Sequence, residues 1–152
     1  MNRDSDLQAI YEAMLAEHRE LMHKINDLRA WFEQVGEYGR PRFGELGTRL
    51  QPLRDELQQH FQEEEAGGYL AEALAVAPRF GREADELRQQ HAGFLNGLDS
   101  LIGRLGELEP PFSGWTQART EFEAILTKIR EHEGRETAIV QAAFGDDIGP
   151  GD

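Results

Sequence analysis

Residues 46–65 read LGTRLQPLRDELQQHFQEEE, and their apolar spacing decides the fold. Leu46, Leu50, Leu53, Leu57, His60 and Glu64 follow one another at alternating steps of four and three. That spacing draws one stripe along a helix, the seam of a helical bundle. The stripe changes chemistry at its end. His60 and Glu64 stand where leucines are expected, and residues four apart share a helix face. One imidazole and one carboxylate are therefore aimed at the same interior point.

The same period extends outward in both directions. Upstream, a helix from about Asp6 to Val35 carries Leu7, Tyr11, Met14, His18, Leu21, Ile25, Leu28 and Phe32. Ser5 or Asp4 would cap it and Gly36 would stop it. EYGRPRFG then reads as a turn. Downstream of Glu64, the stripe passes Gly67 and Ala71. Pro52 predicts a start or kink, and Gly67-Gly68 a break, after which YLAEALAV either continues or forms an extra turn. Beyond Pro78, a third stripe runs Phe80, Ala84, Leu87, His91, Phe94, Leu98, Leu101, Leu105. After Pro110-Pro111, the fourth runs Trp115, Ala118, Phe122, Ile125, Ile129, His132, Glu136, Ile139, Ala143. Four such helices with short connections predict an all-α, up-down-up-down antiparallel four-helix bundle over residues 1–145. Residues 146–152 read as a flexible polar tail.

Antiparallel helices place residues equidistant from a connection at one height. His18 and His60 are each 21 residues from position 39, inside the first turn. The centre of His60/Glu64 and His91 are equidistant from a point beside Pro78. His91 and the centre of His132/Glu136 are equidistant from the PPFSG turn. Three separate connections thus put the inward histidines and glutamates in one layer. Glu64 and Glu136 would each cost several kcal/mol if buried unpaired, a cost that a dication removes. The candidate metal ligands are His18, His60, Glu64, His91, His132 and Glu136. Imidazoles suit iron, zinc and copper, and shared carboxylates favour a pair of ions over a single closed zinc site. His23 lies among polar residues on the wet face and reads as a surface residue. Glu63, Glu65, Glu131 and Glu133 read as solvated flanks; if any turns inward to an imidazole N–H, it is Glu63. No general base is identifiable, so no catalytic residue is assigned.

Composition bounds the rest. The 152 residues contain 29 acidic and 16 basic side chains, a net charge of −13. A chain so acidic should repel nucleic acid and anionic membrane surfaces. No cysteine is present, which removes disulfides and thiolate chemistry. No apolar run approaches the ~18 residues of a membrane span, and MNRDSDLQ has no signal-peptide character. A cytoplasmic location is expected.

His18, H-x-x-x-E at His60/Glu64, His91, and H-x-x-x-E at His132/Glu136, in that order, resemble the hemerythrin-like (HHE cation-binding) family. The piece HFQEEEAGGYL is similar to bacterial members, and the resemblance covers nearly the whole chain. It implies two iron ions in a non-haem centre with an oxo or hydroxo bridge, Glu64 and Glu136 bridging as carboxylates. It further implies a small-molecule ligand, O2, NO or peroxide, to be bound, sensed or scavenged, or a role in iron handling. With no output domain visible, signalling would call for a separate protein partner. The alternatives are a di-iron oxidase, peroxidase or NO-consuming enzyme, and a structural bundle with one metal or none. The chain departs from oxygen-carrying hemerythrins, whose third helix supplies two histidines and whose last motif is H-x-x-x-x-D. Here the third helix offers His91 between Leu87 and Leu95, and the last carboxylate is Glu136. One terminal ligand is absent, which favours oxidation over reversible oxygen carriage.

Overall fold

The computed structural model describes residues 3–38 and 42–148, with side chains at 8–36 and 42–144. All secondary structure among them is helical. Four long helices are α1 (Arg3–Tyr38), α2 (Phe43–Glu65), α4 (Gly81–Leu105) and α5 (Trp115–Ile148). A short helix, α3 (Tyr69–Val76), and a 3-10 turn at Pro78–Phe80 join α2 to α4. Helix α2 packs on α4 and α1, while α5 packs on α1, α3 and α4. Among the described residues no helix is long and apolar enough to cross a membrane.

The stripes become the core. Met14, Leu21, Ile25, Leu28 and Phe32 of α1 are buried, as are Leu46, Leu50, Leu53 and Leu57 of α2. In α4 the whole run Ala84, Leu87, His91, Phe94, Leu98, Leu101, Leu105 is buried. The Leu7 position lies outside the described side chains. The buried residues form two apolar clusters. Along α1, α4 and α5 the inward histidine falls between them: His18 follows Met14 and precedes Leu21, His91 follows Leu87 and precedes Phe94, and His132 follows Ile129 and precedes Ile139.

Several details differ from the sequence reading. Helix α1 passes through Gly36 and ends at Tyr38. A Cβ at Gly36 would lie 2.6 Å from Trp115 Cδ1. This glycine admits the indole, whose Nε1–H donates to the Phe32 carbonyl at 3.2 Å, and it does not stop the helix. Helix α2 runs through Pro52. Both Pro52 and Thr48 are exposed, so the carbonyl that the proline cannot engage is open to water. The break at Gly67-Gly68 is real: Gly67 has φ +115°, a conformation L side chains rarely adopt. In α5 Ile125 is only partly buried, and Leu126 occupies the core instead. Helix α5 extends to Ile148, into the stretch read as a tail, while residues 149–152 lie outside the described residues. Residues 39–41 of the first turn also lie outside them.

Candidate metal centre

His18, His60, His91 and His132 are all buried, and so are Glu64 and Glu136. The structure brings the six predicted residues into one cluster. His60 Nε2 lies 2.5 Å from Glu64 Oε1, and His132 Nε2 lies 2.7 Å from Glu136 Oε1. Each H-x-x-x-E pair therefore converges as its helical spacing requires. Across helices, His91 Nε2 is 3.4 Å from Glu64 Oε2 and 3.2 Å from His132 Nε2.

A seventh residue belongs to the cluster. Glu133, read from sequence as a solvated flank, is buried. Its Oε2 is 2.8 Å from His18 Nε2 and its Oε1 is 3.2 Å from His60 Nε2. Glu63, the flank expected to turn inward, is exposed. Local phase does not separate the two: Glu133 stands three residues before Glu136 and Glu63 three after His60, each about 60° from an inward neighbour. What differs is the packing, which sets Glu133 of α5 against His18 of α1 and His60 of α2. His23 is exposed, as its phase required.

Donor atoms fall into overlapping groups. Glu64, His91, His132 and Glu136 each offer an atom within 4.8 Å of the others. So do His18, His60 and Glu133, and so do His60, Glu64, Glu133 and Glu136. Glu64 and Glu136 thus belong both to the group with His91 and His132 and to a group with His60 and Glu133.

The outer nitrogen of every imidazole is tied. His60 Nδ1–H donates to Glu17 Oε1 at 2.6 Å, and His132 Nδ1–H to Gln90 Oε1 at 2.8 Å. His91 Nδ1–H donates to Glu65 Oε1 at 3.1 Å. His18 Nδ1–H donates to Thr137 Oγ1 at 3.0 Å, whose own hydroxyl donates to the Glu133 carbonyl. Each tie fixes a ring and its tautomer, leaving Nε2 facing inward. Sequence spacing gave no sign of Glu17, Gln90 or Thr137 in this role. Glu65, set down as a solvated flank, keeps an exposed carboxylate but serves as one of these anchors. Phe61 stacks on His91 at 4.0 Å, and Phe94 meets His132 edge-on at 5.1 Å.

The fit to metal is tested by what the inward atoms lack. Among the described residues His18 Nε2, both Glu64 oxygens, Glu133 Oε2 and Glu136 Oε1 are buried without a hydrogen-bond partner. They lie close to one another, His18 Nε2 and Glu133 Oε2 at 2.8 Å, but without hydrogen-bond geometry. Buried polar atoms are rarely left so, and each costs about 1–3 kcal/mol. A cation among them removes that cost.

Without a cation, protons must balance the charge. Burial alone would lower His60, but contacts with Glu133 and Glu64 overcome it and raise it to about 12. Burial, reinforced by Glu64 and Glu133, pushes Glu136 up to about 12. Burial also disfavours ionised Glu64, yet His60 and His91 outweigh it and hold that carboxyl below the usual range. His18 and His60 likewise overcome burial and hold Glu133 at about 2. Burial lowers His132 to about 4.

Chemistry and order of residues agree with the comparison to known families. The hemerythrin HHE cation binding domain matches residues 3–144, nearly the whole chain. The protein belongs to that family. No curated protein and no solved structure matches the chain.

Proposed function

We propose that the chain is an up-down-up-down bundle holding two iron ions that bind, sense or scavenge O2, NO or peroxide in the cytoplasm. The observation that carries this reading is the shared position of Glu64 and Glu136 between two donor groups. His18, His60 and Glu133 would hold one ion; His91 and His132 would hold the other; Glu64 and Glu136 would serve both. Mixed imidazole and carboxylate donors, with no thiolate in the chain, suit iron in this family. Iron would supply the capacity to bind or reduce small oxygen and nitrogen species.

The chain's own residues shape that capacity. Glu17, Thr137, Glu65 and Gln90 orient the four rings. Glu133 completes the side where His18 and His60 lie. The His91–His132 side has fewer donors of its own, so an open position would fall there. On that side Phe61 stacks on His91 and Phe94 meets His132 edge-on.

Metal analysis of aerobically purified protein should return about two irons per chain, following the two donor groups. Reduction, exposure to O2 and degassing over several cycles, followed by visible spectrum, tests the reactivity. The expected end point is a stable ferric state. Loss-free return to the colourless reduced form would identify a reversible carrier instead, and iron-free protein would remove the reading.

A further inference from the structure

A groove of about 440 Å³ opens between α4 and α5, lined in part by Gly93, Phe94, Gly97, Ile125 and Lys128. Its size is in the range of small-molecule sites, which are mostly apolar with a few placed polar groups. Two glycines make the recess. Gly93 and Gly97 lie in the interior of α4, where glycine costs roughly 1 kcal/mol against alanine. Neither is required by packing. A Cβ at Gly93 would meet nothing within 4 Å, and one at Gly97 would make only an ordinary contact with Ile125, 3.7 Å away. The side chains they lack would occupy the groove.

The walls are chemically divided. Phe94 and Ile125 supply an apolar floor, and the departure of Ile125 from the buried stripe is what places it there. Lys128 stands at the wall and forms no ion pair among the described residues. Among the described residues Arg19, Arg82 and Arg130 also form none, and of these four cations only Lys128 lines the groove. Arg135 adds a second cation, shared at 3.3 and 3.4 Å with Glu83 and Glu86, and Glu131 brings one carboxylate. Gln90 also lines the groove while its oxygen accepts the His132 Nδ1–H, so its amide NH2 remains to donate.

We propose that this groove binds a small monocarboxylic acid, its apolar body on Phe94 and Ile125 beside Gly93 and Gly97 and its carboxylate on Lys128. His132 also lines the groove, which therefore adjoins the metal centre, but this binding does not depend on which metal that centre holds.

Calorimetric titration of the full chain with octanoate, octanol and octylammonium at pH 7 tests it. Octanoate should bind one per chain and more tightly than either of the others, against the chain's overall charge. Lys128→Gln should weaken octanoate about tenfold and leave octanol unchanged, the difference a charge-assisted bond makes. Gly93→Leu, at an exposed position with free space above it, should keep helical content and Tm and abolish octanoate binding. Equal or tighter binding of octylammonium would overturn the proposal. So would unchanged octanoate binding in folded Gly93→Leu or in Lys128→Gln.

Discussion

His91 and His132 face each other Nε2 to Nε2 at 3.2 Å, although the Nδ1–H of each ring is already donated elsewhere. With each Nδ1–H so anchored, the facing Nε2 atoms need a proton or a metal ion between or beside them. His132→Ala should therefore lower metal content to about one ion per chain or less and destabilise the bundle, since Glu64 and Glu136 lose compensation. His23→Ala, at an exposed position, should leave metal content unchanged. Elemental analysis of both purified variants decides; retention in His132→Ala would contradict the assignment.

Glu133 and Glu63 give a second contrast. Glu133→Ala should lose metal from the His18–His60 side, leaving about one ion, because it removes the carboxylate that both rings contact. Glu63→Ala should keep the full complement. Elemental analysis with a visible spectrum of each variant makes the comparison.

Metal binding should release protons. In the metal-free protein His60 and Glu136 hold theirs up to about pH 12. A donor bound to metal holds none there. Loading near pH 7 should therefore release at least about two protons, and apparent affinity should rise about 100-fold per pH unit between pH 6 and 8. Calorimetry in buffers of different ionisation enthalpy counts the protons.

The sign reverses for the stability of the metal-free chain. Raised values mean that the folded state holds more protons than the unfolded one, from about 6.5 for His60 and 4.5 for Glu136 up to about 12. Stability from these groups is present below those ordinary values and is lost as pH rises through the window. Thermal melts of metal-free protein should show a lower Tm at pH 9 than at pH 7.

Glu136→Gln separates structure from binding. The metal-free fold keeps this buried carboxyl neutral, while the unfolded chain ionises it at neutral pH. A neutral amide of the same shape removes that cost. The variant should gain at least about 1 kcal/mol without metal, a Tm rise of about 2–4 °C, while binding metal less well. A lower Tm together with full metal content would contradict this.

Two glycines test the packing. Gly36→Ala forces a Cβ against Trp115 and should cost about 1–3 kcal/mol, less the helix propensity that alanine restores. Gly103→Ala, exposed in α4 with nothing within 4 Å, should stabilise by up to about 1 kcal/mol. Denaturant melts of the pair measure both.

The sequence by itself determined the four long helices, most of their inward faces and the common level of the inward histidines and glutamates. A stripe from Leu46 to Glu64 has one physical reading, because apolar period and helix pitch agree and a buried carboxylate demands a partner. That His18, His60, Glu64, His91, His132 and Glu136 lie together in the interior was legible for that reason. Only tertiary structure decided what lies between helices. Glu133 joins the cluster because α5 turns a second carboxylate toward His18 on α1 and His60 on α2, a relation no local pattern on either helix contains. Glu17, Gln90 and Thr137 are polar residues of ordinary helical surface until a neighbouring ring comes within hydrogen-bond reach. Gly36 read as a stop because local propensity cannot see Trp115, 79 positions away in the chain. Periodicity records which face of a helix is turned inward; which atom across the gap it meets depends on rotation and depth, which packing sets.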